Sequence, residues 1–97
     1  MAIKEGTVTV SSAGTAVQFE ATGISVRSIY ILAPDTNTGL IYLGSSTVSS
    51  SLGPRMAPGK ELTLSVAPGE LPINLSQLYV DAASSSDKIE YLAITMD

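Results

Sequence analysis

The chemistry-bearing residues of this chain are its nine carboxylates, five cations and four tyrosines, and there is no histidine or cysteine among its 97 residues. Without imidazole or thiol, a Ser-His-Asp or Cys-His nucleophile cannot be assembled, and neither can the usual zinc frameworks. Two carboxylates flanking a sugar bond would suffice for glycoside hydrolysis. Here every carboxylate stands beside a turn or on the polar side of an alternating segment, where solvation is its ordinary state, and a chain this small has little room for a cleft. Asp35 and Asn37 in one loop, with Asp81 and Asp87 flanking another, offer oxygen atoms of the kind calcium takes. Their spacing matches no calcium loop, and turn formation accounts for all four. Gly39 and Gly44 straddle a short apolar run with no lysine after them and no helix to follow, so they do not form a phosphate cradle. The sequence therefore predicts a protein that is not an enzyme and takes no metal or cofactor.

The segments that would position these residues read as strands. Apolar runs recur every 8 to 15 residues or so, separated by glycine, proline, asparagine and serine, the pattern of a sandwich or barrel. Residues 6–12 place Val8 and Val10 on one face. Residues 16–21 place Val17 and Phe19 together, and the two segments are spaced to form a hairpin. Residues 25–33 carry Ile29, Tyr30, Ile31 and Leu32, apolar on both faces, and Pro34 ends the run. After the turn formers of 33–39, residues 40–43 repeat the two-faced pattern. Leu62, Leu64 and Val66 alternate with Glu61, Thr63 and Ser65, residues 76–82 form a short strand, and residues 88–96 close the chain with Ile89, Tyr91 and Ala93 opposite Leu92 and Ile94. The APGK of 57–60 and the APGE of 67–70 each predict a type II turn, with the glycine at positive φ. The expected fold is all-β: a single small antiparallel β-sandwich of about seven strands over 6–97, jelly-roll or immunoglobulin-like, preceded by an N-terminal arm at 1–5.

Composition narrows the partners. The net charge is −4, and Lys4, Arg27, Arg55, Lys60 and Lys88 are scattered, so no basic footprint for nucleic acid is visible. Apolar runs reach only about four residues against the roughly 20 that span a bilayer, and the start MAIKEGTV lacks a signal peptide's apolar stretch; neither a membrane location nor secretory export is expected. With no tryptophan, the chain is a weak candidate for a sugar platform, which leaves a carbohydrate- or receptor-binding module as a lesser alternative.

Two-faced strands in an antiparallel sheet need a cover on their outer side. Either the 45–54 segment folds back over them, or another subunit does, since apolar surface without local cover marks an interaction face. The candidate contact residues are Tyr30 and Tyr42 on these strands, Arg55 and Met56 beside a loop, and Ile3, Lys4 and Glu5 of the arm.

The order of parts, an opening TVTV, then IYILAPDTNTGLIYLGSS, APGKELTLSV and QLYVDAASSSDKIEYLAI, resembles small all-β virion proteins of tailed bacteriophages, especially head decoration or cement proteins. The resemblance covers 6–94 and rests on structural positions: Asn37, Thr38 and Gly39, then Ile41, Tyr42 and Gly44, then Pro58 and Gly59. It implies a virion component made in the host cytoplasm that binds the major capsid protein on the shell's outer surface. It also implies a homo-oligomer, a trimer foremost, that stiffens the shell. Similar segments occur in tail- and fibre-associated proteins, which form the alternative location.

Overall fold

The computed structural model describes residues 2–51, 53–67 and 69–95. Among these residues, nine strands form two antiparallel sheets that pack as a small sandwich. The first sheet contains β1 (Ile3–Thr9), β9 (Lys88–Thr95), β3 (Ser25–Leu32) and β6 (Glu61–Ser65) in that order, with β7 (Ile73–Asn74) also on β3. The second runs β2 (Val17–Gln18), β8 (Tyr79–Ala82), β4 (Ile41–Gly44), β5 (Arg55–Met56). The all-β sandwich expected from spacing is what forms; the excess over about seven strands is two two-residue pieces, β5 and β7, and the strand expected at 16–21 is reduced to β2.

Period-two alternation builds the core. Val8 on β1, Ile89, Tyr91 and Ala93 on β9, and Val26, Ile29 and Ile31 on β3 meet Ile41, Leu43, Met56, Val80 and Ala82 of the second sheet in one buried cluster. Ile29, Ile31, Ile41 and Ile89 are almost wholly enclosed. Truncating any one of them to alanine would cost about 2–5 kcal/mol. A bulge between Val26 and Ser28 keeps both halves of β3 in phase with the core.

The 57–60 turn forms as expected, with Gly59 at φ +85° and the Lys60 amide donating to the Ala57 carbonyl; in the second, Gly69 has φ +89° and the Glu70 amide donates to the Ala67 carbonyl, while Pro68 lies outside the described residues.

Three expectations are corrected. The N-terminal arm is not separate from the sandwich: Ile3, Lys4 and Glu5 pair with Ile94, Ala93 and Leu92, and the amides of Ala2 and Thr95 donate to Thr95 Oγ1 and the Ala2 carbonyl. The last strand recruits this segment, and its low intrinsic β character is overridden by the partner. Met1 of the expected arm, like Met96 and Asp97, lies outside the described residues. Nor do the first two strands form a hairpin, because β1 joins β9 in one sheet and β2 joins β8 in the other. Finally, Ser76 and Gln77 belong to a short 3-10 turn rather than a strand, since the Asn74 side chain caps it by accepting from the Ser76 amide at 2.9 Å.

Candidate functional site: the open face of the first sheet

The same alternation that buries one side of β1, β9, β3 and β6 sets three cross-strand rows on the other. Ile3, Ile94, Ser28 and Ser65 form one row, Glu5, Leu92, Tyr30 and Thr63 the next, and Thr7, Glu90, Leu32 and Glu61 the third. Ile3 and Leu92 are 64% and 46% exposed, while Tyr30, Leu32 and Ile94 are half-buried. At strand spacings of about 4.8 Å, the rows span roughly 15 Å by 15 Å. The centre is apolar and three glutamates stand around it, with no basic residue in any of the rows. Glu5, Glu90, Tyr30, Leu32 and Leu92 line a shallow trough of about 180 Å³.

One polar contact organises the face. Tyr30 Oη donates to Glu61 Oε2 at 2.6 Å, and that bond, followed by burial and the glutamate's charge, holds the phenol above its ordinary pKa. The phenol is therefore neutral over the physiological range and fixed across β3 and β6. The groups this surface presents are three carboxylates, a phenol and aliphatic side chains.

Ile3, Glu5 and Tyr30 are brought together here, as singled out from the sequence. Lys4 is not: it faces the opposite way, and among the described residues it forms the one ion pair, Nζ to Glu20 Oε2 at 3.3 Å. The hydrogen bond to Glu20 and the neighbouring Tyr91 raise the Lys4 pKa, and Lys4 and Thr22 lower that of Glu20. The pair caps the β1 edge beside the Phe19 and Tyr91 rings, whose centroids are 5.7 Å apart. An inward charge on an edge strand also discourages another strand from adding there. Gly6, across from Tyr91, leaves space for that ring, since a Cβ would come within 2.9 Å of it.

Tyr42 and Met56 are not surface contacts either, being 6% and 5% exposed. Met56 points into the core opposite Ile41, whereas Tyr42 and Arg55 pair on the outer side of the second sheet, with Arg55 exposed. Leu92, Ile94, Leu32, Glu61 and Glu90 were not singled out from the sequence as contacts. For Leu92, Ile94 and Glu90 the signal lay in β9, where they alternate against Ile89, Tyr91 and Ala93.

The buried acids serve the loops. Asp87, 5% exposed, accepts from the amides of Thr38 and Gly39 at 2.9 and 2.8 Å, and Asn37 exchanges hydrogen bonds with the Lys88 backbone. Together they clamp the 33–40 turn to the start of β9. Asp81, from the same sequence set, lies elsewhere and accepts from the Gly14 and Ala82 amides. Among the described residues no group of three metal-ligating side chains gathers. No protein-family model and no curated protein matches the chain.

Proposed function

We propose that this chain is a non-enzymatic structural protein of a tailed-phage virion that binds the outer surface of the assembled capsid and stabilises it. The observation that supports this reading is the open face of the first sheet, with exposed Leu92 near its centre, exposed Ile3 at its β1 edge, and Glu5, Glu61 and Glu90 beside Leu92 and Tyr30. The complementary partner is the major capsid protein, presenting an apolar spot rimmed by lysine or arginine. Opposite charge steers such a partner in and fixes its register, and burial of the apolar centre supplies the adhesion.

The size of the face bears on assembly. A standard protein interface buries about 800 Å² per partner, more than a patch roughly 15 Å on a side provides. One copy alone binds weakly. A homo-oligomer, a trimer by the resemblance of its sequence, presents several faces at once and gains avidity without new contacts. Binding the intact shell and not its dissociated subunits stabilises the shell by about 2.7 kcal/mol per site at a hundredfold excess over the dissociation constant.

Adding the purified protein to shells that lack it is the test. The disruption temperature rises by several degrees at saturation if the reading holds, and an unchanged temperature would overturn it. Quantitative mass spectrometry of purified particles then separates the locations: hundreds of copies in fixed ratio to coat protein place the chain on the head, and a handful place it on the tail or fibres.

A further inference from the structure

The outer side of the second sheet carries a different feature. β4 and β8 hold Tyr42 and Asp81 directly opposite each other, and both are nearly enclosed, at 6% and 2% exposure. Asp81 Oδ1 accepts two backbone amides, from Gly14 at 3.0 Å and Ala82 at 2.8 Å. Its other oxygen, Oδ2, and the Tyr42 hydroxyl have no hydrogen-bond partner among the described residues. Among the described residues no fully enclosed side-chain oxygen lacks a partner. Tyr42 and Asp81 line a depression of about 390 Å³ together with Ala13, Ala83, Ser49 and Ser50.

A carboxylate in such a place is costly unless charge or hydrogen-bond donors meet it, and among the described residues donors meet only Oδ1. The chemistry that completes the site is narrow. Anions are repelled. A guanidinium wants both oxygens of a carboxylate side by side, and Oδ1 is already taken by two amides. A divalent ion needs several oxygen ligands, and one carboxylate supplies too few. A sugar has no exposed ring on which to stack, because Tyr42 is enclosed. An ammonium group, a compact charge with three donors, matches the carboxylate, phenol and serine hydroxyls that line the depression, and an alkyl stem matches its alanines.

We propose that this depression is a socket for a primary ammonium on an unbranched alkyl stem, and that its occupant is a lysine side chain of a partner protein. The socket lies on the sheet opposite the open face and does not depend on shell binding through that face.

The test is an amide NMR titration of the full chain with three probes: Nα-acetyl-lysine N-methylamide, n-butylammonium and n-butanol. Both amines shift the amides of Gly14, Ser49, Ser50, Ala82 and Ala83 saturably, and butanol does not. Asp81→Asn keeps an acceptor for Gly14 and Ala82 yet weakens amine binding at least tenfold. If that variant fails to fold, Tyr42→Phe carries the same test, with about threefold weakening expected. Equal shifts with butanol, or none with either amine, would overturn the socket. Binding of butylammonium without the capped lysine would overturn the assignment to a protein-borne lysine. Shell binding by Asp81→Asn stays at the wild-type level, so failure of the socket and failure of the capsid reading are distinguishable.

Discussion

Tyr30 and Tyr42 occupy matching positions on two-faced apolar strands, but Tyr30 remains half-buried on an open sheet while Tyr42 lies beneath loops of its own chain. The difference comes from the loops around each strand. After β4, the chain turns at 45–48, and Val48 settles over Gly44, where a Cβ would come within 3.2 Å of it. Leu43 then donates its amide to Pro54 and the segment is latched. On the other flank, Asp81 draws in the 11–15 loop through Gly14. Nothing comparable crosses the outer rows of β1, β9, β3 and β6 among the described residues, and the apolar centre stays available. The same sequence signal thus has two outcomes. Local cover decides which strand is left open.

The strongest way to break this comparison is to unlatch the covered side. Gly53 has φ of +114°, and a Cβ there would meet the Leu43 carbonyl oxygen at 2.4 Å. Gly53→Ala is expected to cost about 3 kcal/mol or more in urea unfolding, by strain and by losing the loop's seat over Tyr42. Asp81→Ala comes next. It leaves two amides without their acceptor and frees the 11–15 loop, for an expected loss of about 2–3 kcal/mol, seen as faster hydrogen exchange at Gly14.

The open side should respond in the opposite sense. Leu92→Lys adds a charge to an exposed position, so its effect on stability is expected to stay within about 0.5 kcal/mol. If the proposed capsid contact holds, shell binding should fall at least tenfold, because the lysine would bury its charge against the partner's apolar spot. Co-sedimentation and urea titration of the same sample measure both.

The smallest effect concerns the Lys4–Glu20 pair at the β1 edge. The Glu20 pKa is lowered from 4.5, so its contribution is present above that value and lost as pH falls through the folded value. The Lys4 pKa is raised from 10.5, so its contribution is present below that value and lost as pH rises through the folded one. Stability against pH should therefore carry a slight shoulder at both ends, and Glu20→Gln should flatten the acid one. Both side chains are solvated, which keeps the effect small.

The sheets were legible because Ile29, Ile31, Ile89 and Leu64 repeat at period two, a spacing that only a strand turns into one buried face. The Pro-Gly turns were legible because glycine accepts positive φ. The pairing of Ile3, Lys4 and Glu5 was not, since AIKEG has little strand character and is held by β9, more than 80 residues away in the chain. The separation of β1 and β2 into different sheets was hidden for a related reason: short strands carry no mark of the partner they will choose. Of the residues that line the open face, Ile3, Glu5 and Tyr30 were singled out from the sequence. The cover over Tyr42 was one of two options the sequence left open, and the loop geometry around Val48 and Gly53 selected it.

Hydroxyl-radical labelling of the chain, free and bound to shells, tests the central claim most directly. The account predicts that labelling of Leu92, Ile3 and Tyr30 falls severalfold on binding, while that of Tyr79, on the second sheet, is unchanged. Protection of Tyr79 with Leu92 still labelled, or no sedimentation with shells at all, would contradict it.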